Sequence, residues 1–315
     1  MSDTNLSTNQ TGLIRPDRTT LIAFMILVIL GGLNVLAVRF SNFDLPPFWG
    51  AAARLTFTAL IFWIIFIARR IILPSGRALS GTLIYGLIAF GASFALLYWG
   101  LLNVEAVYGV IVLALVPLLT IFFAQLHGQE QFRWRALAGA MLALVGMIIS
   151  VGRGLGSTIP ITSLLALIGG AACFAESAVI FKLIPKTDPI ATNAIGATVG
   201  AIFLLFLSLA TQEPWQLPSS TLTWGVFAYL VIVGSVGVFY LYLYILSRWT
   251  ASATSYAFLL APVATVILAA LLTDEVVNSQ FLVGSAIVLI GVWFGALRQK
   301  STNKITEGSP SVELT

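Results

Sequence analysis

Long stretches without a charged residue, separated by short polar segments, make up most of the chain. The hydrocarbon core of a membrane is about 30 Å thick, and a helix needs roughly 20 residues to cross it. Because runs of at least this length recur along the chain, the pattern predicts membrane-spanning helices. The charge-free runs are 78–104, 106–129, 154–175, 189–212, 214–247, 249–273 and 276–297.

Ten helices account for this pattern when the segments rich in proline and glycine are taken as their boundaries. Some connections are very short, notably at Asn103 and at Arg248-Trp249, so the helices that they join must be antiparallel neighbours. The predicted helices cover about 20–39, 47–69, 80–102, 104–125, 132–151, 160–182, 189–210, 222–246, 250–272 and 280–297.

The two halves of the chain repeat the same residue types at the same spacing. In each half a proline is followed after 13 residues by a glutamate, after 9 more by a glycine and after 7 more by a second glycine. A weaker echo at a separation of 143 residues links Pro46 with Pro189 and Asn34 with Ser177. The strong matches, 145 residues apart, are Pro117, Glu130, Gly139 and Gly146 with Pro262, Glu275, Gly284 and Gly291.

Five helices in each half is an odd number, so the second half enters the bilayer upside down. Arg39 and Lys182, which also match at a separation of 143, are then expected on opposite sides of the membrane. The predicted fold is an all-α integral membrane protein of ten transmembrane helices, arranged as a 5+5 inverted-topology repeat. We expect repeats at 19–151 and 160–297, with disordered cytoplasmic tails at 1–18 and 298–315.

Composition supports a membrane protein and excludes other classes. Of the 315 residues 59% are hydrophobic and only 9% are charged, and the mean hydropathy is +1.00. A soluble protein is typically about a quarter charged, so a soluble enzyme and a nucleic-acid-binding protein are both excluded. The single cysteine, Cys173, and the single histidine, His127, argue against a disulfide framework and a metal centre. We therefore expect no cofactor and no metal.

The distribution of lysine and arginine predicts the orientation. With the N-terminus in the cytoplasm, thirteen of the 16 basic residues fall on the cytoplasmic side, as the positive-inside rule requires. Only Arg39 and Arg153 fall on the other side, and Arg54 lies within a span. The thirteen are Arg15, Arg18, Arg69, Arg70, Arg77, Arg133, Arg135, Lys182, Lys186, Arg248, Arg298, Lys300 and Lys304. The prediction is a multi-pass protein of a bacterial-type inner membrane with both termini cytoplasmic.

At the repeated residues the chain resembles the EamA family of the drug/metabolite transporter superfamily. The most specific part of the resemblance is the proline of the fourth and ninth helices, the glutamate after each, and the paired glycines of the fifth and tenth. The resemblance covers roughly 20–150 and 160–297. It implies ten helices, cytoplasmic termini and a central cavity that moves small metabolites, often outward.

Two prolines and one acid are candidates for a role in transport. Pro117 and Pro262 each remove a backbone hydrogen bond in mid-span, and the resulting kink either flexes during access or is a static feature of the packing. Glu176 lies about 1.5 turns before the end of the sixth helix. A carboxylate at membrane depth usually faces a bundle interior or a wet cavity, so Glu176 is a candidate for binding a proton or a cationic group, unless it is simply solvated near Lys182.

Arg54 is a cation within the second helix, and two readings of it are open. It either pairs with Glu105, which begins the fourth helix on the same side, or binds a carboxylate of the substrate. Asn34, and Ser177 at the equivalent position, are candidates for hydrogen bonds to the substrate or to a neighbouring helix.

Aromatic residues concentrate on the third and eighth helices, where Phe94 and Phe239 match at a separation of 145. Tyrosines offer a ring and a hydroxyl to a substrate, although tyrosines near a span end commonly anchor at the interface. The candidates for substrate contact are Tyr98, Tyr108, Tyr240, Tyr242 and Tyr256. Glu130 and Glu275 are expected to cap the fifth and tenth helices, and the paired glycines are expected to allow close packing of helices.

A secondary transporter, and more specifically an exporter, is the function that these features favour. Inverted repeats are a recurring architecture of secondary transporters because two equivalent halves can exchange conformations. The chain has no G-x-x-x-x-G-K-[ST] segment, so ATP is not the direct energy source. The expected cargo is a small metabolite, such as an amino acid or a related amphipathic compound.

Several alternatives stay open at this point. Protons are a candidate coupling ion, but passive facilitation fits equally well, and the chain could act as a monomer or a homodimer. Other functional classes are a membrane channel, a drug-efflux carrier of broad specificity and, with less support, a membrane-embedded enzyme.

Overall fold

The computed structural model of the chain describes residues 16–104, 106–151, 160–264 and 279–297. Within these ranges the chain is helical and contains no β-strand. The helical segments are α1 (Arg18–Ser41), α2 (Pro47–Ala68), α3 (Arg77–Gly100), α4 (Tyr108–Leu126), α5 (Trp134–Val151), α6 (Ile161–Leu183), α7 (Pro189–Ala210), α8 (Thr221–Leu246), α9 (Ala251–Ala264) and α10 (Ser279–Val292).

Seven of the described segments, α1 to α4 and α6 to α8, are long and apolar enough to cross a membrane. The apolar parts of the other three are shorter, at Trp134–Ile149, Ala251–Ala264 and Leu282–Gly295. The chain is therefore a multi-pass, all-helical membrane protein. The count of ten crossings stays a prediction, since parts of the predicted fifth, ninth and tenth helices border residues outside the described ranges.

Polar side chains mark the starts of several helices. The Asp17 carboxylate accepts the backbone N–H of Thr20 at the start of α1, and the Ser220 hydroxyl accepts that of Thr223 in α8. Such caps satisfy backbone donors that have no partner within the helix. Asp188 plays the same role before α7, whose first residue is a proline, the favoured residue type there.

The two ends of the bundle can be distinguished by the repeat-related cations Arg39 and Lys182. Phe24, near the start of α1, packs edge-to-face on Trp249 at a centroid distance of 5.6 Å, whereas Arg39 lies near the end of α1. Because Lys182 donates to the Trp249 carbonyl, it lies at the opposite end from Arg39. We call these the Arg39 end and the Lys182 end.

Each of these cations caps the C-terminal end of an equivalent helix. Arg39 donates from Nη1 to the carbonyls of Leu101 and Leu102, just after α3, at 2.8 and 2.7 Å. Lys182 donates from Nζ to the carbonyls of Leu246 and Trp249, at the end of α8, at 2.8 and 2.7 Å. A cation is favourable beside carbonyls that have no partner within the helix. The match found in the sequence thus corresponds to equivalent contacts at opposite ends.

A wide turn interrupts α3 and α8 at equivalent positions. Residues Leu87–Ala92 of α3 and Ile232–Gly237 of α8 form π-helical turns, and their bounds differ by 145 residues at both ends. Single π turns inside an α-helix are uncommon and are frequently found at functional sites. The repeat therefore extends to a local backbone irregularity that hydropathy does not reveal.

The paired glycines bring α5 and α10 into backbone contact. A Cβ atom added at Gly139 would lie 2.5 Å from the Cα of Gly295, and one at Gly291 would lie 2.6 Å from the Gly139 carbonyl oxygen. A Cβ atom added at Gly146 would lie 2.7 Å from the Gly284 carbonyl oxygen. Small residues allow this approach, so both glycine pairs serve one helix–helix contact.

Glu130 caps a different helix from the one that the sequence suggests. Its carboxylate accepts the backbone N–H of Ser252 at 3.2 Å and also the Ser252 hydroxyl, at the start of α9. Arg133 donates to the same carboxylate at 3.3 Å. The expected cap on α5 is therefore corrected to a cap on α9, and Glu275 lies outside the described residues. The error arose because an acid between two helices can turn toward a helix distant in sequence.

At the Arg39 end, two acids join the first connection to the segment between α7 and α8. Glu213 accepts the backbone N–H groups of Phe48 and Trp49, at 3.1 and 2.7 Å, at the start of α2. Asp44 accepts both the backbone N–H and the hydroxyl of Ser219 at 2.7 Å. These hydrogen bonds hold the pKa of the Asp44 carboxyl below its usual value.

Replacement of Gly291 by alanine should destabilise the protein because the new methyl group would meet backbone atoms of α5 that cannot move aside. Overpacking of this kind costs about 1–3 kcal/mol. Gly225→Ala in α8 is the matched control, since a Cβ atom there meets nothing within 4 Å. Thermal unfolding in detergent should show a lower melting temperature for Gly291→Ala alone. Equal melting temperatures would contradict the α5–α10 contact.

Asp44→Asn should lower the melting temperature near neutral pH, and this effect should disappear in acid. A carboxyl whose pKa is lowered by folding adds stability above its unfolded pKa, near 3.8, and that stability is lost as pH falls through the folded pKa. Melting curves of the wild type and the variant at pH 7, 5 and 3 measure this. A difference in melting temperature that does not shrink toward pH 3 would refute the role of the ionised carboxyl.

Candidate functional site

A cavity of about 150 Å³ lies in the middle of the bundle, between helices of both halves. Its lining includes residues of α1 to α4 from the first half and of α6, α8 and α9 from the second. Toward the Arg39 end the lining extends to Val38 and Leu101. The walls are largely aromatic, and the rings that matter most below are Phe90, Phe94, Tyr98, Phe174, Phe239 and Tyr242.

Arg54 of α2 is the charged residue of this lining, and it is only 3% exposed. Its Nε donates to the Ser235 hydroxyl at 2.7 Å, and its Nη1 donates to the Tyr98 hydroxyl at 3.0 Å. Its Nη2 donates to the Gly234 carbonyl at 2.9 Å and to the Asn34 side-chain oxygen at 3.3 Å. Helices α1, α3 and α8 thus hold the guanidinium together.

The π turn of α8 places two of these acceptors. Because the turn is wide, the Ser235 hydroxyl donates to the Leu230 carbonyl five residues earlier, at 2.8 Å, while it accepts from Arg54. A Cβ atom added at Gly234 would collide with the Asn34 side-chain oxygen, so glycine is needed for α1 to approach. The irregular backbone therefore supplies a carbonyl and a hydroxyl to a cation inside the bundle.

Two aromatic rings flank the guanidinium. The Arg54 Cζ lies 5.2 Å from the ring centroid of Phe94 and 5.8 Å from that of Phe239. The negative face of an aromatic ring attracts a cation at such distances. Phe94 and Phe239 are equivalent residues of the two halves, and their rings contact each other edge-to-face at 5.9 Å. The cation therefore lies beside the pseudo-symmetric aromatic pair.

The structure brings together five of the residues predicted to form the site. Arg54, Asn34 and Tyr98 are hydrogen-bonded to one another, and Tyr242 and Pro262 line the same cavity. Glu105, the predicted partner of Arg54, lies outside the described residues. All four described acceptors of Arg54 are neutral.

The other predicted site residues do not line this cavity. Ser177 donates to the Phe174 carbonyl within α6, at 2.7 Å, and the Tyr240 ring packs beside that of Tyr244. The Tyr256 hydroxyl donates to the Ala136 carbonyl at 2.8 Å. The remaining residues outside the lining are Tyr108, Pro117 and Glu176.

Glu176 contacts the single histidine of the chain. The Glu176 carboxylate lies 2.7 Å from His127 Nε2, and the two side chains are 22% and 34% exposed. Gln129 donates to the Val179 carbonyl at 2.7 Å, so the turn after α4 lies against α6. The predicted carboxylate thus stands beside the cavity toward the Lys182 end, and its proposed proton binding stays a prediction.

The two prolines have different surroundings. Helix α4 is interrupted at residues 114–115, directly before Pro117, as expected where a proline removes a backbone hydrogen bond. In α9 the interruption falls at Tyr256, and residues 257–264, which include Pro262, are helical. Pro262 lines the cavity, and Pro117 is buried in packing.

Sequence reasoning missed Gly234 and Ser235 as partners of Arg54, and Phe174 and Phe258 as walls of the cavity. Phe174 and Phe258 pack edge-to-face at a centroid distance of 5.0 Å. A signal for the first two exists in the sequence, because the Gly-Ser-x-Gly segment of residues 234–237 interrupts an apolar helix. No comparable signal marks Phe174 or Phe258 among the many phenylalanines of the chain.

Comparisons with known proteins agree with this architecture. Residues 18–152 and 161–296 each match the EamA-like transporter family. The chain is 26% identical over 216 residues to "Uncharacterized transporter YyaM" of Bacillus subtilis (strain 168), covering 67% of this chain and 70% of that protein. It is 25% identical over 260 residues to "Uncharacterized inner membrane transporter YedA" of Escherichia coli (strain K12), covering 81% and 83%.

A solved crystal structure has the same fold. It superposes with a TM-score of 0.73 at 18% sequence identity, and the match covers 90% of this chain and 98% of that one.

Ser235→Ala should destabilise the protein more than the removal of another buried serine hydroxyl. The substitution leaves the Arg54 Nε–H without its acceptor, and an unsatisfied buried donor costs about 1–3 kcal/mol. Ser93→Ala is the matched control, because the Ser93 hydroxyl donates only to the neutral Gly170 carbonyl. Melting temperatures in detergent compare the two variants. A greater loss for Ser93→Ala would show that Arg54 does not depend on Ser235.

Proposed function

The chain belongs to the EamA-like transporter family, and we propose that it is a secondary transporter that exports a small metabolite by alternating access. The expected cargo is an amino acid or a related amphipathic compound, carried across the inner membrane. One observation carries this proposal: a polar-centred aromatic cavity lies between helices of both repeats. A site shared by two similar halves is what alternating access requires.

Contacts between the repeats at the Lys182 end support a mechanism in which access changes sides. Glu130 of the first repeat holds the start of α9 through Ser252, and His127 holds Glu176 of α6. Phe24 of α1 packs on Trp249. With the N-terminus cytoplasmic, these contacts lie on the cytoplasmic side of the cavity. They must separate for the cargo to enter from the cytoplasm.

The alternatives differ from a carrier in a measurable way. A channel passes an ohmic current, an embedded enzyme forms a product, and a carrier shows saturable exchange. The family match and the transporter-named relatives favour a transporter over an enzyme. A drug-efflux carrier of broad specificity is the nearest alternative within the transporter class, and a panel of cargoes distinguishes it from a selective exporter.

Proteoliposomes loaded with metabolite mixtures should show saturable counterflow, and filling the cavity should abolish it. Gly31 lines the cavity and a Cβ atom there meets nothing within 4 Å, so Gly31→Phe has room for a ring. We expect Gly31→Phe to reduce counterflow at least tenfold without lowering the melting temperature. The radiolabelled exchange rate measures this.

Gly225→Phe is the matched control, because Gly225 is equally uncrowded and lies outside the cavity lining. It should retain the wild-type rate of exchange. A non-saturable current, product formation or equal rates in the two variants would each contradict a carrier that uses this cavity.

A further inference from the structure

The hydrogen bonds of Arg54 leave one of its donors unused. A guanidinium carries five N–H groups, and the four described bonds use one at Nε, one at Nη1 and two at Nη2. The second Nη1–H therefore has no acceptor among the described residues. The Tyr98 hydroxyl accepts from Nη1, so its own hydrogen is also available to donate.

These two donors lie side by side on the wall of the cavity. The Arg54 Nη1 and the Tyr98 oxygen are 3.0 Å apart, and both residues line the cavity. Two adjacent donors, one of them cationic, match the two oxygens of a carboxylate. Asn34 and Gly234 hold the other side of the guanidinium through Nη2, so the direction of the free donor is constrained.

The charge of Arg54 is not balanced by an acid in the described cavity. Its lining contains no aspartate or glutamate among the described residues. Neutral dipoles and the rings of Phe94 and Phe239 stabilise the cation, but a buried charge without a counter-ion is costly. An anion that enters the cavity would remove much of that cost.

A second polar group in the same cavity has no partner. The Tyr242 hydroxyl is buried, and it makes no hydrogen bond to any described residue. Buried polar groups are normally hydrogen-bonded. Tyr242 follows Ser235 by seven residues, which is roughly 10 Å along a helix. An extended ligand could therefore contact both positions, with an apolar body against Phe94 and Phe239.

We propose that the cargo is an organic carboxylate, bound through its two oxygens by the Arg54 Nη1–H and the Tyr98 hydroxyl. Its body is apolar and aromatic or branched, and a polar group at its far end reaches Tyr242. This inference rests on the proposed transport function and narrows its cargo to anions. Cationic amines are excluded because Arg54 repels them.

Binding of matched probes to the purified wild-type protein tests the inference without any mutation. The probes are 3-phenylpropionate, 3-phenylpropionamide and 3-phenylpropylamine, which share one apolar body and differ in charge. We expect the acid to raise the melting temperature and to bind at least tenfold more tightly than the amide or the amine. Equal binding of the amide or the amine, or no binding of the acid, would overturn the proposal.

Two variants localise the effect. Tyr98→Phe removes one donor and should weaken binding of the acid about tenfold, a loss of about 1.4 kcal/mol, while binding of the amide changes little. Tyr240→Phe is the control, since Tyr240 does not line the cavity. Equal affinity for the acid in both variants would overturn the role of Tyr98.

Two further probes test the remaining parts of the proposal. Glu105→Gln tests the alternative that the chain supplies its own carboxylate to Arg54. Acid binding that appears only in this variant would overturn the proposal. In addition, 3-(4-hydroxyphenyl)propionate should bind more tightly than 3-phenylpropionate to the wild type, and Tyr242→Phe should abolish that advantage. No advantage in the wild type would overturn the contact with Tyr242.

Counterflow separates this inference from the transport function. Saturable exchange of a neutral or cationic metabolite, with no selectivity for acids, would leave a transporter and refute the carboxylate site. Selective binding of the acid without exchange of any metabolite would leave the site and refute transport.

Discussion

A buried guanidinium held only by neutral groups is the constraint on which the described centre of the protein depends. Arg54 takes acceptors from α1, α3 and α8, so it fixes the spacing of helices that are distant in sequence. A cation in this position is stable only while these acceptors surround it, since membrane lipid offers no replacement. The same contacts give the cavity its positive charge, and packing and recognition are therefore one arrangement.

The symmetric features of the chain form the frame, and the asymmetric ones give it chemistry. The π turns, the caps made by Arg39 and Lys182 and the contact of Phe94 with Phe239 all occur in pairs. Arg54 has no such counterpart, because the corresponding part of α7 carries the small residues Gly196 and Ala197. One repeat supplies the charge, and the other supplies the hydroxyl and carbonyl that hold it.

The sequence predicted the helices and the repeat well, because apolar length and matched spacing are properties of the chain itself. It also placed Arg54, Asn34 and Tyr98 among the candidates, since polar residues inside apolar helices are rare. It could not assign their partners. Hydropathy gives the depth of a residue along a helix but not its direction around the axis, and so Glu176 was predicted in a cavity that it does not line.

The wide turn in α8 explains why the rest of the site was hidden. A regular helix would pair the Leu230 carbonyl with the backbone N–H of Gly234, whereas here it accepts from the Ser235 hydroxyl. That change leaves the Gly234 carbonyl to face Arg54 and turns a short glycine-rich segment into part of a cation site. Since the same turn in α3 begins at Leu87 without a cation beside it, the backbone irregularity belongs to the repeat. Its use as a binding element arose only where α2 carries an arginine.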